Sequence, residues 1–64
     1  MRTLELADYL ELTGKNVHGL AVELGLSPPK VHYWFHNTTC MIKFDDYRRV
    51  HEMRLMREKV VYAR

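Results

Sequence analysis

The chain has 64 residues, of which 47% are hydrophobic and 28% are charged, and its formal net charge is +2. This length allows one small domain, and the composition excludes an intrinsically disordered chain. Cys40 is the single cysteine, which excludes a disulfide-stapled secreted scaffold and favours a reducing compartment. No apolar run approaches the ~18 residues of a membrane span, and no export signal follows the first residues. We therefore expect a cytoplasmic protein without a membrane partner.

The first two predicted elements are short helices with recognisable ends. Thr3 can cap a first helix, with Glu5 in its first turn, and Gly14 can end that helix. Asn16 can cap a second helix with the sequence VHGLAVELG, whose apolar residues recur at helical spacing and which Gly25 ends.

The third predicted helix covers residues 28–37 and begins with two prolines. Ser27 is a preferred N-cap residue, and Pro28 then occupies the first helical position. Pro29 occupies the second position, where a backbone N–H also has no intrahelical partner. The prolines therefore fix the start of this helix rather than interrupting it.

The remainder of the chain favours a fourth helix. Residues 38–43 are expected to be a loop or a short extended segment. Residues 45–61 contain no glycine or proline, and Asp45 can cap a helix there. A break near Leu55 followed by a strand KVVYA is the alternative. The sequence thus predicts an all-α domain of four to five helices, possibly with a short C-terminal strand. The apolar face of the fourth helix would contain Tyr47, Val50, Met53, Met56 and Val60.

Residues 17–37 have the spacing of a helix-turn-helix. Ala21 would lie where the two helices cross, and Gly25 would adopt the left-handed conformation of the turn. Val31 and Trp34 would face Ala21 from the third helix. A generic helical hairpin of a small bundle is the alternative explanation. Leu20, Leu24 and Leu26 would complete the core of the motif.

This pattern resembles phage and bacterial repressors of the Cro and lambda-repressor type. Ala21, ELG at 23–25, Ser27, Val31 and Trp34 carry the resemblance, and TLELADYLELTG resembles the first helix of Cro-type proteins. Lambda Cro continues beyond this point as a β-hairpin. This chain is rich in helix-forming residues there, so the sequence resembles the all-helical Cro relatives more closely.

The resemblance implies that the third helix enters the major groove of double-stranded DNA. On a helical wheel, Val31, Trp34 and Phe35 group on the side that would face the body of the protein. The other side would read bases. The chain would then be a transcriptional repressor that occupies an operator, and it would need no cofactor or small-molecule effector. The residues implicated in DNA binding are Asn16, Val17, His18, Ser27, Pro28, Pro29, Lys30, His32, Tyr33, His36 and Asn37.

The basic C-terminal region favours a homodimer. Residues 48–64 concentrate arginine and lysine, and the predicted apolar face of the same segment exceeds what a short monomeric chain can bury. We therefore expect this segment to join two copies of the chain. An architectural DNA-bending factor or excisionase, and a protein-interaction module such as an antitoxin, are the other functions considered.

Catalysis and a metal centre are weaker interpretations. His32, His36 and Cys40 are spaced four residues apart, but a zinc site usually has three or four ligands and often paired cysteines. No phosphate-binding loop or nucleophile motif is present. We therefore expect neither a metal ion nor an enzymatic activity.

Overall fold

A computed structural model describes residues 1–58, which form three helices and one three-stranded antiparallel sheet. The sheet order is β1-β2-β3, so β2 is the central strand. This α+β architecture shows that the all-α prediction is wrong. The elements are β1 (Arg2–Glu5), α1 (Leu6–Thr13), α2 (Val17–Leu24), α3 (Pro28–Asn37), β2 (Thr38–Phe44) and β3 (Val50–Glu58).

The N-terminal residues pair with the sheet instead of starting a helix. Thr3, predicted to be an N-cap, lies in β1 opposite Lys43 of β2. Helix α1 begins at Leu6, after Glu5 in extended conformation at the N-cap position. Gly14 ends α1 with a φ of 73°, as predicted, and its N–H donates to the carbonyl oxygen of Leu10. The end of α1 was predicted correctly from Gly14, whereas its start depends on the pairing of β1 with β2, which is distant in sequence.

A hairpin replaces the predicted fourth helix. Residues 45–49 form the turn between β2 and β3, and Asp45 caps this turn rather than a helix. Its Oδ1 accepts hydrogen bonds from the backbone N–H groups of Tyr47, at 2.8 Å, and Arg49, at 3.1 Å. Arg48 adopts a left-handed φ of 67°. The alternative strand KVVYA, together with Val60, lies outside the described residues.

The core lies between the helices and one face of the sheet. Strand β2 turns Cys40, Ile42 and Phe44 inwards, and all three side chains are buried. Tyr9 of α1 is fully buried, and its ring lies 5.0 Å from that of Phe44. Its hydroxyl donates to the carbonyl oxygen of Arg48, which ties α1 to the hairpin turn. Among residues 1–58, no helix has the length and apolar character needed to cross a bilayer.

Candidate nucleic-acid interface

Helices α2 and α3 are joined by the tight turn that the sequence predicts. The side chain of Asn16 caps α2 by accepting a hydrogen bond from the N–H of Gly19 at 2.6 Å. Gly25 ends α2 with a φ of 71°, and the N–H of Leu26 donates to the carbonyl oxygen of Ala21 at 2.8 Å. Ala21 is fully buried, which allows the two helices to approach closely. These features confirm the predicted ends of α2 and the role of its glycine.

The start of α3 is fixed by its two prolines, as predicted. Ser27 is extended at the N-cap position, with φ of −70° and ψ of 122°. Its hydroxyl makes no capping hydrogen bond and the residue is exposed, so the hydroxyl faces solvent. Because Pro28 and Pro29 lack an N–H, the first turn of α3 offers few backbone donors to an anion.

The two faces of α3 divide as the helical wheel predicts. Val31 is fully buried, whereas Trp34 and Phe35 are half-buried and pack against the core. Trp34 is therefore a boundary residue, and the ammonium group of Lys30 lies 5.9 Å from its ring centre. The exposed face contains Pro29, Lys30, His32, Tyr33, His36 and Asn37.

The C-terminal turn of α3 is held by two side-chain hydrogen bonds. Thr38 Oγ1 donates to the carbonyl oxygen of Trp34 at 2.7 Å, and Asn37 Nδ2 donates to the carbonyl oxygen of Tyr33 at 3.0 Å. The backbone N–H of Thr38 also donates to the carbonyl oxygen of Trp34, so the hydroxyl adds a second hydrogen bond to that group. The helix is thus fixed at both ends while its outer face stays open to solvent.

The predicted DNA-binding residues at the start of α2 do not all face solvent. Asn16 and His18 are exposed, but Val17 is only 8% exposed and belongs to the core. Its side chain therefore does not lie on the solvent-facing surface that Asn16 and His18 share. Val17 is apolar and follows an N-cap, which is the pattern of a helix residue that packs inwards. Pro28, at the start of α3, is half-buried.

The hairpin turn adds a basic and aromatic surface that the sequence did not reveal. Tyr47 is 81% exposed, and the guanidinium of Arg49 lies 5.7 Å from its ring centre. The Tyr9 hydroxyl bonds to Arg48 and lies 3.4 Å from the Lys15 ammonium group, so the turn lies near the start of α2. The sequence had predicted residues 45–49 to be part of a helix, so this surface was not expected.

Two polar groups near this surface are engaged within the protein. The ammonium group of Lys15 forms an ion pair with Glu23 at 2.9 Å. His51 Nε2 lies 2.7 Å from Asp45 Oδ2, and this hydrogen bond, with those from the backbone of the turn, lowers the pKa of Asp45 to about 2. Asp45 is therefore a structural anion of the turn.

The three residues spaced as possible metal ligands differ in their exposure to solvent. His32 and His36 are exposed on α3, but Cys40 is buried on β2, where burial raises the pKa of its thiol. Residues 1–58 contain no group of three or more His, Cys, Asp or Glu side chains placed to share one ion. Comparison with protein-family models, curated proteins and solved structures gives no match to this chain.

Proposed function

We propose that this chain is a sequence-specific double-stranded DNA-binding regulator, and that it represses transcription by occupying an operator in the manner of Cro. The observation that carries this proposal is the division of α3 into two faces. Val31, Trp34 and Phe35 hold one face against the core, while the opposite face presents polar and aromatic side chains on a rigid helix. A helix of this kind fits the major groove.

The exposed side chains of α3 supply chemically distinct contacts to base edges. Lys30 can donate to the O6 and N7 acceptors of guanine, and the ring of Tyr33 and the proline ring of Pro29 can contact thymine methyl groups. Asn37 uses one N–H on the carbonyl oxygen of Tyr33 and keeps its amide oxygen for a base donor. Recognition would therefore depend on the middle and end of α3, because its first turn begins with prolines.

Phosphate contacts are assigned to α2 rather than to α3. The first N–H groups of an α-helix have no intrahelical acceptor and attract anions. In α2 the Asn16 side chain engages the N–H of Gly19, and the N–H groups of Val17 and His18 remain next to the exposed side chain of His18. Helix α3 has lost its first two N–H groups to Pro28 and Pro29. Phosphate binding at α2 would set the register of α3 on the duplex.

The hairpin that follows α3 also supports a relationship to lambda Cro itself rather than to all-helical relatives. Lambda Cro has a β-hairpin after its recognition helix, and β2 and β3 form a hairpin at the same place in this chain. The proposal therefore combines the helix-turn-helix sequence pattern with the order of the elements that follow it.

Dimerisation is proposed to occur through β3. This strand lies at an edge of the sheet, so its outer backbone groups have no partner strand within the described residues. Leu55 and Met56 are 43% and 54% exposed on it. Pairing with β3 of a second copy would join two sheets and cover these side chains. Two copies of α3 could then read two half-sites.

Selection of bound duplexes from a random pool tests the function directly. The intact chain is expected to enrich a sequence with two-fold symmetry and a fixed half-site spacing. Tyr33→Ala should then reduce affinity for that sequence by about 1–3 kcal/mol while leaving random-duplex affinity nearly unchanged. Tyr47→Ala removes the same exposed side chain from the hairpin turn and is the matched control. Failure to enrich any sequence, or equal losses of specific affinity in both variants, would contradict α3 as the base-reading element.

A further inference from the structure

Two histidines on the outer face of α3 are arranged as a pair. His32 and His36 are separated by one helical turn, and their rings are parallel to within 13° with centres 6.3 Å apart. Both residues are exposed, and within residues 1–58 neither ring nitrogen is engaged in a hydrogen bond or ion pair. The edge contact between the rings of Phe35 and His36, at 5.0 Å, places His36 against the helix surface.

We propose that His32 and His36 chelate a divalent transition-metal ion of the borderline class, such as Zn²⁺, Ni²⁺ or Cu²⁺. Imidazole is a preferred ligand of these ions. Two histidines four residues apart on one helix face are a known two-point arrangement for zinc. The same rigid backbone holds both ligands, so little backbone freedom is lost when the ion binds.

The distances require only a rotation of the two rings. A metal–nitrogen bond is about 2.0–2.1 Å long, so the two coordinating nitrogens must approach to about 4 Å or less. The ring centres lie 6.3 Å apart, and histidine χ2 is a soft torsion with broad minima. Rotation of both rings can therefore bring one nitrogen of each towards a shared ion while the backbone of α3 stays in place.

The site would be an open one. Cys40, four residues beyond His36, is buried on β2 and cannot act as the third ligand. Water would therefore fill the remaining coordination positions, which makes the ion exchangeable rather than a permanent part of the fold. Binding requires neutral imidazole, so metal affinity should fall as the pH is lowered.

The ion would also alter the DNA-reading face, a consequence that rests on the proposed function. With both imidazoles bound to metal, His32 and His36 can no longer contact base edges, and the hydrated ion lies between them and the groove. Sequence-specific binding should weaken, while the added positive charge favours phosphates of any sequence. Metal would thus shift the protein from specific towards non-specific binding.

Titration of the free, intact protein with NiCl₂ or ZnCl₂ tests the site without DNA. Calorimetry should detect one ion per chain, and the imidazole proton NMR signals of His32 and His36 should respond to Zn²⁺ ahead of those of His18 and His51. His32→Gln and His36→Gln should each lower metal affinity by about tenfold or more, since each removes a ligand. His18→Gln removes another exposed histidine, on α2, and should leave the metal affinity unchanged.

Two results would overturn the site. One is a wild-type NMR titration in which His32 and His36 do not respond first, a measurement that needs no variant. The other is an equal loss of metal affinity in His18→Gln and His36→Gln. Circular dichroism of each variant confirms that the exposed substitutions leave the helices intact.

A second titration, with the selected duplex and a random duplex, tests the effect on DNA. Zn²⁺ should reduce the ratio of specific to non-specific affinity in the wild type but not in His36→Gln, and EDTA should restore the ratio. If no duplex is selected, the proposed function fails while the metal titration still decides the site. If the ion binds but the ratio is unchanged, the site stands and its effect on DNA recognition is refuted.

Discussion

Among residues 1–58, the Tyr9 hydroxyl makes the one side-chain hydrogen bond between α1 and the hairpin turn, and Tyr9→Phe removes it without changing the ring. Tyr9 is fully buried, and its hydroxyl donates to the carbonyl oxygen of Arg48 at 2.5 Å. Loss of a hydrogen bond costs about 0.5–1.5 kcal/mol, and a buried acceptor left unpaired costs about 1–3 kcal/mol. Arg48 is an exposed residue, so water can partly replace the hydroxyl. We therefore expect a loss of about 1–2 kcal/mol in the free energy of unfolding.

This loss should be easy to measure in so small a protein. A 64-residue domain has roughly 3–10 kcal/mol of stability in total. Each kcal/mol lowers the melting temperature of such a domain by about 4–8 °C, so Tyr9→Phe should melt about 5–15 °C below the wild type. Circular dichroism during heating and during urea unfolding gives both quantities.

The control removes a hydroxyl that makes no hydrogen bond within the described part of the chain, residues 1–58. Tyr33 is 52% exposed on α3, and Tyr33→Phe should leave the melting temperature unchanged. Tyr9→Ala also removes the ring that packs on Phe44, costs about 3–5 kcal/mol and should leave the chain largely unfolded. If Tyr9→Phe is as stable as Tyr33→Phe, the hydroxyl does not hold the hairpin turn and the reasoning is refuted.

Further predictions concern other parts of the fold. The pKa of Asp45 is depressed, so its carboxylate contributes stability that is present above the ordinary pKa of ~3.9 and is lost as the pH falls through about 2. Between these pH values the urea midpoint of the wild type should fall more steeply than that of Asp45→Asn. Trp34→Ala should destabilise the protein by about 3 kcal/mol in urea unfolding, at the lower end of the range for a buried aromatic residue, because Trp34 is half-buried. An unchanged urea midpoint would show that Trp34 does not contribute to the core. Arg48→Gly should equal or exceed the wild type in melting temperature, because glycine adopts the left-handed φ of 67° without strain. Leu55→Lys should give a folded monomer by sedimentation if β3 joins two copies, and a wild-type monomer both free and on DNA would refute that interface.

The helix-turn-helix could be predicted because its signals are local. Asn16 accepts from a backbone N–H three residues away, and Gly25 sets its own backbone conformation. Pro28 and Pro29 likewise act at the positions they occupy. Each residue therefore carries its effect within about one helical turn, and a sequence pattern is enough to detect it. The buried side of α3 followed from the same periodicity.

Strand β3 could not be predicted because its register is irregular. It pairs Val50 with Phe44, Met53 with Ile42 and Leu55 with Cys40. Register shifts interrupt the ladder between Lys43 and Phe44 and again between Thr39 and Cys40, so that β3 has one extra residue at each place. These extra residues break the strict alternation of a strand, and the spacing from Val50 to Met53 matches a helix instead. Arginine, glutamate and methionine, which favour helices, strengthen the same error.

Strand β1 was not predicted, for a different reason. It has only four residues, and its pairing partners lie at residues 41–44, far along the chain. Thr3 is an acceptable N-cap in isolation, so local reasoning starts the helix too early. The exposed side chains of α3 could be predicted because the bounds of that helix and its buried side were predicted correctly. The burial of Val17 could not, because it depends on how α2 packs against the rest of the core.

The pairing of β1 with β2 has a consequence for how the protein is made. Contacts within α2 and α3 join residues close in sequence, and such low-contact-order structure can form early on a nascent chain. Strand β1 is synthesised well before its partner residues 41–44. The hydroxyl of Tyr9 likewise waits for Arg48. A fragment ending at Asn37 would therefore contain every proposed DNA-contacting side chain. It would still lack Cys40, Ile42 and Phe44, the core residues against which its helices pack.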